Sequence, residues 1–366
     1  MPTPASFARF SGRLASDVVE CLDVSRELER LRSGLWFVVV DFEADLGGGS
    51  TGRPGRARAW RFARVEEDGA PAAGAWAGPA SDAWTSSMDQ MAYQAAVRRV
   101  REHVREGDVY QANICRVLAA PLPVGDDGGE PDAAAFAAVL AAGNPAPHAA
   151  AIHVPAGAGV DPVWVVSASP ELYLSLDGDV LASSPIKGTA RTPEGLLPKD
   201  RAENVMITDL VRNDLQHVCL PGSVEVTDLL ALEHHPGLVH LVSRVRGTLA
   251  ADVADAPDLW RHVLASTFPP GSVSGAPKSS ALRIISELET VPRGPYCGAV
   301  GWVDGDAGRA ELAVGIRTFW WERGSDAAGG TLRFGTGAGI TWGSDPEAEW
   351  RETELKAARL IGLASR

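Results

Sequence analysis

Two pairs of carboxylates stand out as candidate chemistry in this 366-residue chain. Asp200 and Glu203 lie in DRAENVMITDLVRND, and Glu349 and Glu352 lie in EAEWRETELKA. If each stretch is helical, the i,i+3 spacing puts both members of a pair on one face. Were the two helices to meet, four carboxyl groups would converge. That donor set suits Mg²⁺, which takes one or two carboxylates and keeps its other positions for waters and an anionic substrate. Either pair alone reads first as a solvated face, because acidic side chains are seldom buried. The apolar Val205, Met206, Ile207, Trp350 and Leu355 interleaved with them weaken that reading.

A lysine poses a second question. Lys187, in SSPIKGTART, is either a surface cation beside a turn or an amine aimed at a substrate. An amine that attacks carbon must be neutral, and a reference pKa of ~10.4 leaves little free base at neutral pH. Partial burial or a neighbouring cation would lower it. Arg317, in the apolar strand ELAVGIRTFWW, either snorkels at a sheet edge or clamps an anion through its planar fork. His240, in GLVHLVSRV, alternates with apolar residues and reads as a structural histidine, and Glu171 follows a proline at a strand start in SASPELYL. The backbone at Gly337-Ala338-Gly339, in FGTGAGITWG, is a tight exposed stretch: either a bare turn or a set of N–H groups for a carboxylate.

Other chemistries are disfavoured. FPPGSVSGAPKSS has only three residues between Gly271 and Gly275 and places Ala276-Pro277 before Lys278, which breaks the spacing of a phosphate loop. In FGTGAGITWG the third glycine of a dinucleotide fingerprint would have to be Ile340. The four cysteines are dispersed without a C-x-x-C pair, so neither a zinc site nor a disulfide framework is indicated. A net charge of −13 argues against nucleic acid or an anionic membrane as partner. The longest Ala-rich apolar run, 133–142, is too short for a membrane span, and the first twenty residues lack a signal-type apolar core. A cytoplasmic protein with reduced thiols is expected.

The elements that would position these groups follow from periodicity. LWFVVVDFE (35–43) reads as a strand, and 66–82 as a loop closing an N-terminal β region. Tyr93, Val97, Val100 and Val104 share one face of a helix that Gly107 would cap. Residues 124–132 and 141–150 bracket an Ala-rich helix that reads as a tolerant surface excursion. A hairpin is expected over 161–189 with its turn at Asp177-Gly178. Helices are expected near 200–214, 257–266, 277–290 and 345–363, with Pro277 and Pro346 in first turns and Ser344 as an N-cap. Strands are expected near 238–248, 297–303, 310–321 and 331–336. The mixed order predicts an α+β protein with large antiparallel β-sheets and helices packed outside.

Taken in order, the segments GDVYQANI, SASPELYL, SSPIKGTART, DRAENVMITDLVRNDL, HLVSRVRGTL, FPPGSVSGAPK, PYCGAVGW, IRTFWW, GTGAGI and DPEAEWRETELKA resemble the chorismate-utilising enzymes. The resemblance runs from about Met88 to the C-terminus. It implies a layered sandwich of antiparallel sheets, with 1–85 a short N-terminal β region integrated with the core and 86–366 a chorismate-binding catalytic domain. It further implies that Glu203 and Glu352 bind Mg²⁺, with Asp200 and Glu349 beside them. Arg317 and Tyr296 would hold the enolpyruvyl carboxylate with the amides of Gly337, Ala338 and Gly339, and Lys356 would add positive charge. Ser272 keeps a hydroxyl where relatives often have Thr, His240 would line the site near the ring, and Glu171 would protonate the leaving 4-hydroxyl.

Two positions separate the members of the family. Those that add water carry a lysine base where this chain has Gln111, which cannot act as one. Within P-I-x-G-T, members that aminate at C2 carry Ala, whereas those that aminate at C4 commonly carry Lys, here Lys187. The resemblance therefore implies amination of chorismate at C4 by ammonia through a covalent Lys187 adduct. No cysteine lies in the G-x-C-x-G context of a glutaminase nucleophile, so ammonia is expected from a separate glutamine amidotransferase subunit (component II) or from solution.

Overall fold

The computed structural model describes residues 6–125, 128–190, 192–235, 238–324 and 329–366, except for the side chains of Thr189, His235 and Leu238. Eighteen strands are hydrogen-bonded into one network, and every pairing among the described strands is antiparallel. The large antiparallel sheets expected from the sequence are thus joined edge to edge. Leu35–Val40 pairs with Ala299–Asp304, and Phe7–Phe10 with His148–Val154, so strands from both ends of the sequence share the sheet. Most strands bury alternate or successive β-branched and aromatic residues, which suit a pleated, packed surface. The largest apolar cluster includes Phe37, Trp60, Val245, Val263 and Trp302.

The helices pack on this sheet as their periodicity requires. Gln90–Glu106 buries Tyr93, Val97 and Val100 and ends at Gly107, whose φ of 84° meets the left-handed conformation of a C-cap. Pro198–Gln216 and Pro346–Ala364 are the two acid-bearing helices. The second starts one residue later than expected: Asp345, not Ser344, is the N-cap and accepts from the Ala348 N–H. Pro277 likewise sits at the N-cap of Lys278–Leu288 rather than inside it. No helix among the described residues is long and apolar enough to cross a membrane.

Four local expectations are corrected. The Ala-rich helix Ala133–Gly143 is no surface excursion: Phe136 is fully buried and stacks near Trp76 and Trp164. The hairpin turn falls at Gly178-Asp179, because Asp177 already pairs with Val180. The strand expected over 310–321 is two, Arg309–Val314 and Thr318–Arg323, with Arg317 in the break at a φ of 52°. The strand expected over 331–336 runs on as Gly330–Ile340, so Gly337, Ala338 and Gly339 are a strand paired with Asn113, Ile114 and Cys115, not a turn.

Candidate active site

A cavity of about 710 Å³ opens between the two acid-bearing helices and the sheet. Lys187, Glu171, Asp200, Glu203, His240, Ser272, Tyr296, Arg317, Gly337, Ala338, Gly339, Glu349, Glu352 and Lys356 all line it. One expected position does not. Gln111 is fully buried, and a Cβ on Gly339 would lie 2.5 Å from its Nε2, so this side chain is tucked behind the cavity wall. Neither its Nε2 nor its Oε1 has a hydrogen-bond partner among the described residues. Asn113 and Cys115, on the same strand face, take the lining place instead.

Glu171 immediately precedes Leu172–Asp177, and Lys187 lies in Ile186–Ala190 across the hairpin. Burial pushes the Glu171 carboxyl up to about 7, although the Ser272 hydroxyl, the charge of Lys187 and the Ile186 N–H all favour its ionised form. A carboxyl in that range can give a proton and take it back near neutral pH. A nucleophilic Lys187 needs burial or a neighbouring cation. The structure gives a half-buried lysine among the carboxylates Glu171, Glu203 and Glu352. Gly188 is required beside it: its φ is 84°, and a Cβ there would meet the Asp200 Cβ at 2.8 Å.

The four acids of the two helices reach the cavity with different environments. Burial raises Glu203, and Lys187 and Lys199 oppose that while Glu352 and Asp200 add to it. Burial also raises Glu349, reinforced by Glu352 and opposed by a hydrogen bond with Ser344. Burial acts upward on Glu352 too, but the charges of Lys356, Lys199 and Lys187 outweigh it and leave its carboxyl below the usual value. Asp200 spends one oxygen on its own helix, accepting from the Leu197 N–H at 2.8 Å. Among the described residues these acids do not bring three oxygens within 4.8 Å of one another. A pair from facing helices fits a magnesium ion, which accepts one or two carboxylates and fills its octahedron with water and substrate oxygens. The repulsion between Glu203 and Glu352 is what a dication between them would relieve.

The opposite wall is built for anions. Arg317 has no hydrogen bond or ion pair from its guanidinium among the described residues, and burial alone lowers its pKa. An unpaired, half-buried guanidinium held at positive φ is a strained and costly arrangement, of the kind found at ligand clamps. Beyond Phe334 the Gly330–Ile340 strand has no strand partner on its second edge among the described residues. Lys356 Nζ donates to the Gly337 carbonyl at 3.0 Å from that edge, so the Gly337 N–H, on the same edge, also points away from the paired strand. Lys356 in addition pairs with Glu352 Oε1 at 2.7 Å. Gly335 leaves room for Tyr296, whose ring atoms a Cβ there would meet at 2.0 Å. His240 is buried on its strand and lines the floor.

Sequence reasoning missed Lys199, Asn113, Asn144, Cys115 and Cys297 among the lining residues. Lys199 had a signal, since it adjoins Asp200 at the start of an acid-bearing helix; Asn113 and Cys115 depend on strand register, Asn144 caps the helix Ala133–Gly143, and Cys297 lies in the turn before Ala299–Asp304. Lys278, in the broken phosphate-loop motif, is tied to Asp214 Oδ2 at 3.0 Å and to the Thr267 carbonyl at 3.1 Å, away from this cavity.

Comparison with known proteins identifies the family and the fold. The family model described as chorismate binding enzyme matches residues 56–362. Anthranilate synthase component 1 of Haloferax volcanii is 38% identical over 286 residues, 75% of this chain and 51% of that protein. Aminodeoxychorismate synthase component 1 of Klebsiella aerogenes is 35% identical over 314 residues, 82% of this chain and 63% of that protein. The chain spans about half the length of the Haloferax and Haloarcula relatives it matches. A putative 2,3-dihydroxybenzoate-specific isochorismate synthase from Bacillus anthracis superposes with a TM-score of 0.74 over 99% of this chain and 97% of its own, at 22% identity, and so shares the fold. With a family match over most of its length and a cavity that gathers the acids, the lysine and the arginine, this chain belongs to the chorismate binding enzymes.

Proposed function

We propose that this protein is an aminodeoxychorismate synthase component I, aminating chorismate at C4 to give 4-amino-4-deoxychorismate for para-aminobenzoate and folate synthesis. The observation that carries the reading is Lys187 in one cavity with Glu171, whose carboxyl is held near neutrality. Arg317, Tyr296 and the Gly337 edge seat the enolpyruvyl carboxylate, and Lys356 adds positive charge beside it. Glu203 and Glu352, with Asp200 and Glu349 nearby, would hold Mg²⁺, which when bound neutralises the ring carboxylate and the acids around it. Lys187, after yielding its proton, attacks C2 with its amine. Both ring double bonds shift, C1=C2 to C1=C6 and C5=C6 to C4=C5, and the 4-hydroxyl leaves as water with a proton from Glu171. Ammonia then adds at C4, both double bonds shift back, and the Lys187 nitrogen departs as an amine, the added nitrogen giving up the proton that the leaving nitrogen takes. Two allylic displacements place the nitrogen at C4.

The ammonia is assigned to a separate glutamine amidotransferase subunit, since no cysteine of this chain lies in the context of a glutaminase nucleophile, or to solution. Anthranilate synthase is the second reading, favoured by the 38% identity to the Haloferax enzyme; Lys187 is the residue that speaks against it. Incubation with chorismate, Mg²⁺ and ammonia, followed by an aminodeoxychorismate lyase, distinguishes the two. Para-aminobenzoate supports amination at C4, and anthranilate formed without the lyase overturns it.

A further inference from the structure

The four cysteines have no paired spacing in the sequence, and all are free thiols in the fold. Two of them nevertheless meet. Cys115 lies in Gln111–Pro121, and Cys297 stands two residues before Ala299–Asp304. Both are buried, their thiols interact with one another, and both line the 710 Å³ cavity. The Tyr296 hydroxyl is 4.0 Å from Cys115 Sγ. Cys297 is held at a φ of 64°, a left-handed conformation rare outside glycine and found mainly where a site enforces it. The mechanism above uses neither thiol.

We propose that Cys115 and Cys297 form an oxidisable dithiol in the cavity wall, closed to a disulfide by hydrogen peroxide that enters through the cavity, and that this bond withdraws Tyr296 from the substrate. Cys297 is the attacking group. Its burial disfavours the thiolate, but the Cys115 thiol and the charge of Arg293 outweigh that and lower its pKa. Burial pushes Cys21 up to about 12 and Cys219 up to about 11, so neither competes. The Cys297 sulfur attacks one peroxide oxygen and breaks the O–O bond, leaving a sulfenic acid and one water. The Cys115 sulfur then attacks the sulfenic sulfur, forming the S–S bond, and its proton leaves with the displaced hydroxide as a second water. Two thiols lose two electrons, and the peroxide takes them up.

The part of this inference that concerns the substrate rests on the reading of the cavity as the chorismate seat; the dithiol itself does not. The full chain, freed of reductant, is treated with hydrogen peroxide and mapped by mass spectrometry without reduction. The expected result is one Cys115–Cys297 cross-linked peptide, split by dithiothreitol, with Cys21 and Cys219 still open to alkylation. Chorismate consumption should fall in step with the cross-link and return with dithiothreitol. In Cys115→Ser the cross-link should vanish and Cys297 should be trapped by dimedone as a sulfenic acid. Oxidation spread evenly over the four cysteines, or no cross-link while other thiols react, overturns the proposal. Chorismate with Mg²⁺ should slow cross-linking several-fold; a cross-link that forms at an unchanged rate refutes the chorismate seat and leaves the dithiol standing.

Discussion

Replacing Glu171 by glutamine separates what this residue does for catalysis from what it costs the fold. An ordinary glutamate titrates near 4.5, and burial moves this one to about 7. A carboxyl whose folded pKa is raised adds stability below the unfolded value, and that stability is lost as pH rises toward the folded value. At pH 8 both states are ionised, and the folded protein bears the whole penalty. A tenfold change in acidity corresponds to ~1.36 kcal/mol, so the penalty amounts to about 3 kcal/mol. Glutamine keeps the shape and the acceptor for Ser272 and the Ile186 N–H but carries no charge. Glu171→Gln should therefore be more stable than the parent at pH 8, with a melting temperature higher by about 4 °C for a chain this long. The gain should shrink through pH 7 to 4.5 and disappear below it. Chorismate turnover should be lost across the same range. Thermal melts of both proteins from pH 4 to 8 make the measurement. A melting difference independent of pH, or a variant less stable at pH 8, would refute the reasoning that burial sets this carboxyl.

Arg317→Lys keeps the charge but loses the planar fork, so KM for chorismate should rise roughly 10- to 100-fold with a smaller change in kcat; steady-state kinetics check it, and an unchanged KM removes Arg317 from the substrate. Gly188→Ala forces an L-side chain to a φ of 84° against Asp200 and should destabilise the protein by about 1–3 kcal/mol, read from the midpoint of urea unfolding. Glu203→Gln should raise the Mg²⁺ concentration for half-maximal activity on the order of tenfold or more, and calorimetry should show weakened Mg²⁺ binding without chorismate.

Groups whose meaning is local were legible in the sequence. The acids at i,i+3 spacing did fall on cavity-facing helix surfaces, and Gly107 did cap its helix, because helical period and left-handed glycine are properties of a few consecutive residues. Register was harder. Gln111 shares a strand face with Asn113 and Cys115, yet the approach of Gly339 closes it off, a contact 228 positions away in sequence. Arg317 read as a residue within a continuous strand because Ile316 and Phe319 continue the apolar pattern; a positive φ breaks the strand there, beside Gly315, whose backbone lies close to the Pro295 carbonyl. The Gly337–Gly339 stretch read equally as a bare turn or as a set of N–H donors, because glycine clusters often mark turns. In the structure Gly337 leaves room for the Cys115 sulfur and Gly339 for the Gln111 amide, as Gly335 before them does for Tyr296.

The claim at the centre of this account is that Lys187 becomes covalently attached to the ring. It is tested most directly by holding the protein with chorismate and Mg²⁺ while ammonia is withheld, then quenching in acid and reading the mass of the chain and of the Lys187 peptide. The account predicts an adduct of chorismate less one water on Lys187, absent in Lys187→Ala and discharged to 4-amino-4-deoxychorismate when ammonia is added. Turnover to an aminated product with Lys187 unmodified at every time point, and undiminished in Lys187→Ala, would contradict it.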